Sequence, residues 1–488
     1  MTVNSYAIPY VSLLKVQIEA LKRSAGHYGF AYFMEQGLGK TLTVYADFLR
    51  LLAEREATRL VVVCPNSFKG GWVDDAIKHG LGDQFDFFVW EAGNESGLRW
   101  WMKQSYKKPP CLIVNYESIR AESFRVGKKK AWRSGKLGTM IEEWAQQANC
   151  MIAFDESIKI STHDSAQTLG ALLAVKNFTY SRILSGKPIK QGPHDLWSQM
   201  RAIFQLEGRN YFAFKTAFCK MGGFMMKQVM SAQNEDILSL LIEPHIFRAT
   251  KADWTDLPPK MYPSPRMYKM TAEMQNMYDA MEDEFVLWLN ETENVAVDAA
   301  ITKYIKLAQI QCGWIYKEDG SIHQLVPDDR NPRLQLLLEI IDDELTSKAA
   351  IAYHHKPVFD QLLRNLGGEK ACAWIKGGMS PAEITEQKRR FNEDKEVRFI
   401  LLQDDASKYG HTLLGLPEPG HQCYTMIFYE NNYSLDTRSQ IEDRIHRHGQ
   451  TADSVLYLDL SGTQLDRDCV KALQRKENIF QAVFANLH

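Results

Sequence analysis

The stretch Phe30-Ala31-Tyr32-Phe33-Met34-Glu35-Gln36-Gly37-Leu38-Gly39-Lys40-Thr41 decides how the chain folds. An apolar run enters a loop with two glycines, and an amphipathic helix pattern begins at Leu42. Strand, loop and helix in that order are what a phosphate cradle requires. Gly37 and Gly39 would let backbone N–H groups approach an anion, and the helix N-terminus adds a favourable dipole. Lys40 would reach the outer phosphates of a nucleotide, and the Thr41 hydroxyl would ligate Mg²⁺. Met34 stands where the full G-x-x-x-x-G-K-[ST] pattern has its first glycine. A chance Gly-x-Gly-Lys-Thr loop is therefore the competing reading.

Working outward, Asp155-Glu156 directly follow the apolar run Met151-Ile152-Ala153-Phe154. Phosphoryl transfer to water needs one carboxylate to hold Mg²⁺ and another to orient or activate the water. An acid-rich helix start is the alternative. Near the other end lies Gln440-Ile441-Glu442-Asp443-Arg444-Ile445-His446-Arg447-His448-Gly449-Gln450. On one helix, Gln440, Arg444 and Arg447 would share a face. Two guanidinium groups projecting together suit a triphosphate. A solvated basic face paired with Glu442 and Asp443 is the plainer reading.

The rest of the chain repeats the strand–helix rhythm. Leu60-Val61-Val62-Val63-Cys64 and Cys111-Leu112-Ile113-Val114 read as buried parallel strands. Late in the chain Ala349-Ala350-Ile351-Ala352-Tyr353, Arg398-Phe399-Ile400-Leu401-Leu402 and Thr425-Met426-Ile427-Phe428-Tyr429 do the same. Two α/β units are predicted, with a mostly helical region at about 205–315 between them. There Met274, Met277, Tyr278, Met281, Phe285 and Trp288 recur at helical spacing, which implies a buried face. With 488 residues, two or three domains are expected. The formal net charge of −2 argues against a binder that holds nucleic acid by bulk charge and leaves a local basic groove open. Eight cysteines without a C-x-x-C pair exclude a zinc ribbon and fit a reducing interior. The N-terminus lacks a secretory signal pattern and no run of eighteen apolar residues occurs, so no membrane association is expected.

Phosphate loop, Asp-Glu pair and distal Q-x-x-x-R-x-x-R, in that order, resemble the superfamily-two helicase motors. More specifically they resemble the Swi/Snf-type double-stranded-DNA translocases. Gln17 looks like the family's adenine-reading glutamine. Val63-Cys64-Pro65-Asn66-Ser67 with Trp72, and Asn115-Tyr116-Glu117, resemble its DNA-contacting motifs. Ser185-Gly186-Lys187-Pro188-Ile189 occupies the place of its T-G-T-P-I coupling motif. Pro244-His245-Ile246-Phe247-Arg248-Ala249-Thr250-Lys251-Ala252-Asp253 and Leu257-Pro258-Pro259-Lys260 are similar to a signature particular to these translocases. Gly377-Gly378-Met379-Ser380 and Gly410-His411-Thr412-Leu413 stand for further motifs. Two departures stand out: Ile158 fills the histidine position of the D-E-x-H box, and Lys187 replaces a threonine.

The resemblance implies an α/β fold of two RecA-like parallel-sheet lobes with helical protrusions inserted between them. It sets lobe 1 at 1–204, the protrusions at 205–315, lobe 2 at 316–462 and a brace helix at 463–488. It implies ATP and Mg²⁺, the metal held by Thr41 and Asp155. Lys40, Asp155, Glu156, Arg444 and Arg447 are assigned to catalysis. Gln17, Gly37, Leu38, Gly39, Lys40, Thr41, Gln440 and Gly410 are assigned to the nucleotide, and Ser185, Gly186 and Lys187 to coupling. Pro65, Ser67, Trp72, Asn115, Tyr116, Gly377, Gly378 and Thr412 are assigned to DNA. A basic cluster adds Lys128, Lys129 and Lys130, near Arg125, Trp132, Arg133 and Lys136, as an outlying grip or a solvated loop. The expectation is a monomeric intracellular, cytoplasmic motor on double-stranded or branched DNA, in a host cytoplasm if phage-encoded. The alternatives are a strand-separating DNA or RNA helicase, or an ATP-switched binding or annealing factor.

Overall fold

The computed structural model describes residues 12–127, 129–222, 228–291, 305–317, 319–404, 406, 412–431, 434–447 and 449–484. They form two compact units. One comprises the chain up to Asp256 and returns at Arg475; the other is Leu257–Gln474.

The first unit contains β1 (Gly29–Met34), β2 (Arg59–Cys64), β3 (Asp86–Val89) and β4 (Pro110–Asn115). A hairpin of β5 (Ala121–Val126) and β6 (Lys129–Ser134) follows, then β7 (Cys150–Asp155) and β8 (Tyr180–Leu184). A second hairpin, β9 (Cys219–Gly222) and β10 (Gln228–Ala232), precedes β11 (Ile246–Ala249). The main sheet runs β11-β1-β8-β7-β2-β4-β3, and every pairing in it is parallel. Its strands are apolar on both faces because helices cover both. Val61, Val63, Ile152 and Phe154 enter one core, and Leu60, Val62, Met151 and Ala153 enter the other.

The second unit contains β12 (Lys260–Met261), β13 (Arg266–Met267) and a hairpin of β14 (Trp314–Tyr316) and β15 (Ile322–Gln324). Then come β16 (Lys348–Tyr353), β17 (Cys372–Ile375), β18 (Phe399–Gln403), β19 (Cys423–Phe428) and β20 (Val455–Ser461). Its parallel sheet runs β12-β20-β19-β16-β18-β17, with β13 also on β20. Again alternate residues divide between two cores: Ala349, Ile351 and Tyr353 on one side, Ala350 and Ala352 on the other.

The two-lobe parallel α/β expectation holds. The region at 205–315 is more mixed than its helical pattern suggests. It supplies helices Tyr211–Phe218, Glu235–Ile242 and Ala272–Glu291, but also β11 at a sheet edge of the first unit and β12 to β14 in the second. Short segments such as Ile246–Ala249 carry too few residues for a period to distinguish strand from helix. On the helix Ala272–Glu291, Met274 and Tyr278 are buried as the stripe implies, whereas Met277 is exposed. The side chains of Phe285 and Trp288 lie outside the described residues. The eight cysteines are all buried and none is in a disulfide. No helix among the described residues is long and apolar enough to cross a membrane.

Candidate nucleotide site and its surroundings

In the first unit β1, β8 and β7 are neighbours and parallel, so the loops leaving their C-terminal ends meet at one edge. Such edges are where open α/β sheets bind ligands. The phosphate loop leaves β1, Ser185-Gly186-Lys187 leave β8, and Asp155-Glu156 end β7.

The loop is shaped by its glycines. Gly37 and Gly39 have φ of 89° and 80°, and Gly39 is the residue before helix Lys40–Ala53. Only glycine takes this left-handed conformation without strain. A side chain at Gly39 would also strike Gln17, its Cβ lying 2.2 Å from Nε2. Lys40 Nζ donates to Met34 O at 2.9 Å. The loop is tied to β11: Glu35 N donates to Ala249 O at 2.9 Å, and Glu35 Oε2 accepts from Lys251 N at 2.8 Å. The translocase-like signature thus abuts the phosphate loop, and the buried Lys251 stem runs beside Gly37.

Gln17 reaches the loop by a route the sequence did not suggest. It is 2 % exposed, its Nε2 donates to Gly39 O at 3.0 Å, and its Oε1 accepts from Leu14 N at 2.7 Å. In this conformation its amide supports the loop.

Asp155 and Glu156 are adjacent but differently set. Asp155 is buried, its Oδ2 accepts from Trp72 Nε1 at 3.0 Å, and its Oδ1 accepts from Glu156 N at 3.0 Å. Burial raises its carboxyl above the ordinary value, opposed by the Lys40 ammonium and the Trp72 hydrogen bond. Glu156 is half-buried in the left-handed region, φ 52°. A non-glycine residue held there costs about 1–3 kcal/mol, a strain that collects at functional positions. Each Asp155 oxygen keeps acceptor capacity beyond its one N–H donor. With the Thr41 hydroxyl in the first helical turn, this hard-oxygen set fits Mg²⁺ arriving with a nucleotide.

Two expected DNA contacts are corrected here. Trp72 is 0 % exposed and packs edge-on against Tyr45; its indole serves Asp155. Tyr116 is equally buried and donates its hydroxyl to Asp155 O at 2.7 Å. Both side chains hold the end of β7 and neither reaches solvent. Pro65 and Asn115 are buried, and Ser67 is exposed. Arg125, Lys130, Trp132 and Arg133 of the basic cluster lie on the β5–β6 hairpin rather than in a loop, and Lys136 begins the helix Lys136–Ala145. Lys130 lies over the Trp132 ring at 4.3 Å, and Arg133 and Lys136 pair with Glu122 and Glu95. Lys128 and the Lys129 side chain lie outside the described residues.

In the second unit the helix carrying Gln440 is Leu435–Glu442 and stops before both arginines, which sit in the turns that follow. The shared helical face is therefore corrected. Spacing four still matters, through the backbone: Arg444 Nε donates to Gln440 O, and Arg447 Nε donates to Asp443 O. Arg444 is 1 % exposed and Arg447 half-buried. Glu442 pairs with Arg438 and Lys260, which ties the Leu257-Pro258-Pro259-Lys260 segment to this motif. Arg447 also donates to Thr412 Oγ1 at 3.4 Å. Gly377 and Gly378 are exposed at the end of β17, and Gly410 lies outside the described residues.

A cluster around the buried Glu430 is not legible in the sequence. Glu430 accepts from the backbone N–H groups of His354 and His355 and bonds the His355 ring at 2.7 Å. Burial pushes its carboxyl up, but the His355 charge and these bonds outweigh it and bring it to about 2. Its members are scattered in sequence, so no spacing signals it.

A model of the SNF2-related domain matches residues 22–313. Protein CHROMATIN REMODELING 4 of Arabidopsis thaliana is 22% identical, over 93% of this chain and 20% of its own length. A Caenorhabditis elegans homolog of the SWI/SNF-related matrix-associated actin-dependent regulator of chromatin subfamily A-like protein 1 is 24% identical, over 86% and 54%. The probable global transactivator of Orgyia pseudotsugata multicapsid polyhedrosis virus is 21% identical, over 87% and 80%. The chain thus spans a fifth and about half of the first two relatives. The Sulfolobus solfataricus SWI2/SNF2 ATPase core, solved in complex with dsDNA, aligns over 99% of this chain and 95% of that one at 21% identity, TM-score 0.41. On the family match, which covers more than half of its residues, the chain belongs to the SNF2-related family of Swi/Snf-type ATPases.

Proposed function

We propose that the chain is a DNA-stimulated ATPase that translocates on double-stranded or branched DNA, remodelling it or displacing bound proteins in repair, recombination or replication. The observation that carries this reading is the meeting of phosphate loop, Asp155-Glu156 and Ser185–Lys187 loops at one sheet edge. Lys40 and the loop amides bind the triphosphate. Thr41 and Asp155 hold Mg²⁺, which supplies charge neutralisation at the phosphates. Glu156 orients and deprotonates the attacking water. Arg444 and Arg447 are assigned to stabilising the transferred charge, and Gln440 to the nucleotide. Ser67, Gly377, Gly378, Thr412 and the β5–β6 hairpin are assigned to DNA phosphates, which suits a motor indifferent to sequence. The motor acts as a monomer in the cytoplasm. Duplex DNA is expected to raise ATP turnover several-fold, more than single strands or RNA do. A turnover rate indifferent to duplex DNA would sink the proposal, and preference for RNA would favour a helicase.

The indole of Trp72 offers a separate test. Asp155 must be ionised to hold Mg²⁺, so cation binding is present above its titration and lost as pH falls through it. Burial holds that point above the ordinary carboxylate value, and the Trp72 hydrogen bond pulls it down. Trp72→Phe removes the pull. The acid limb of ATP turnover is expected to move to higher pH, with turnover there falling about tenfold, the scale of a lost charged hydrogen bond. DNA affinity should not change. An unmoved limb with weakened DNA binding would restore Trp72 as a DNA contact.

A further inference from the structure

The residue after Glu156 is bonded to the coupling segment through a buried amide. Ser157 Oγ donates to Gln199 Oε1 at 2.7 Å, and Gln199 Nε2 donates to Pro188 O at 2.7 Å and Asp195 O at 2.8 Å. Ser157 and Gln199 are both 0 % exposed. Asp195 Oδ2 in turn accepts from the backbone N–H groups of Lys190, Gln191 and Gly192. One side chain on the helix Leu196–Ala202 therefore joins the end of β7 to the whole turn that follows β8.

Several features make this more than packing. Both donors and the acceptor of the Gln199 amide are used, so it holds its two neighbours at fixed separation. Pro188 has no N–H, so its carbonyl is the one backbone group through which that residue can be held. On the near side, Glu156 keeps a strained left-handed backbone, which persists only where its surroundings over-determine it. On the far side, a Cβ at Gly186 would lie 3.6 Å from Gln36 N of the phosphate loop. The same segment holds Ser185 Oγ, fully buried and without a hydrogen-bond partner among the described residues. Buried hydroxyls are rarely left so. Ile158, in the family's histidine position, is buried and apolar and offers no such bond.

We infer that Ser157 and Gln199 are positioning residues: a hydrogen-bonded relay by which the setting of the coupling segment fixes the carboxylate of Glu156. The inference rests on the proposed ATP hydrolysis. A shift of the Ser185–Pro188 segment pulls Gln199, and Gln199 pulls the peptide that orients Glu156. Fully satisfied buried networks transmit such displacement because any one broken bond strands its partner.

The test is a double-mutant cycle in the full chain, with Ser157→Ala, Gln199→Met and the pair, reading kcat, ATP dissociation constant and thermal midpoint with and without duplex DNA. Each single variant is expected to lose about tenfold in kcat, the scale of one lost buried hydrogen bond felt in the transition state. The pair should lose about tenfold too, since the second change removes nothing further. ATP affinity should stay within about twofold, separating positioning from binding. Stimulation by DNA should shrink in all three. If DNA fails to stimulate even the wild-type chain, the DNA-motor reading falls, and the relay stands or falls on the same cycle measured without DNA. Additive losses, affinity falling in step with kcat, or a kcat unchanged in Ser157→Ala overturn it.

Discussion

Replacing Glu156 by glutamine is expected to lower ATP turnover by about 10²–10⁴-fold, the usual worth of a positioned general base. The nucleotide should still bind. Glutamine has the same shape, so the left-handed backbone at this position and its strain are retained. In the proposed function the phosphate contacts are assigned to Lys40 and the loop, not to Glu156. Measured nucleotide affinity and thermal midpoint should therefore match the wild type while kcat collapses. The neighbouring carboxylate explains why the two acids are not interchangeable. Asp155 is buried and accepts an N–H on each oxygen, bonds that favour its ionised form against the burial that raises its carboxyl. Glu156 is half-buried and sits on a left-handed backbone. Environments that separate two adjacent carboxylates usually separate their roles. Hydrolysis retained in Glu156→Gln would remove Glu156 from catalysis and move the water-activating role elsewhere.

The parts of this site that sequence made legible are those carried by local chemistry. A glycine pair before Lys40-Thr41, or two acids after an apolar run, announce themselves because strand, turn and helix start are short-range events. The parallel strands were legible for the same reason: both faces are covered, so their residues run apolar without alternation. Contacts made across the fold were not. Trp72 and Asp155 are 83 positions apart, and nothing in either neighbourhood tells an indole facing DNA from one facing a carboxylate. Ser157 and Gln199 were equally silent. The arginines at 444 and 447 illustrate a different limit. Their spacing predicts a helical face, yet the helix ends at Glu442, and each guanidinium is aligned by a carbonyl four residues back. Periodicity reported the spacing correctly and the local structure wrongly.

Lys40→Ala should cost both binding and turnover, and the contrast with Glu156→Gln locates the two halves of the site. Removing a preorganised donor to a charge that develops in the reaction lowers kcat by about 10²–10³-fold. Here the loss should be compounded. Lys40 Nζ is bonded to Met34 O and stands ready at the loop, half-buried, as the charge a triphosphate would meet. It is also the charge that opposes burial at Asp155. Without it the Asp155 carboxyl rises further, so Mg²⁺ binding weakens at pH values where the wild type still holds the ion. The variant should therefore show weaker nucleotide binding, slower turnover and a stronger dependence on high pH and high Mg²⁺. Lys40→Arg tests whether charge alone suffices. A planar guanidinium has the charge but cannot place a compact ammonium within the loop, so it should restore the Asp155 titration more than the turnover. If Lys40→Ala binds and hydrolyses ATP as the wild type does, residues 34–41 are a chance match to a phosphate loop. The nucleotide would then have to be sought at another edge of the fold.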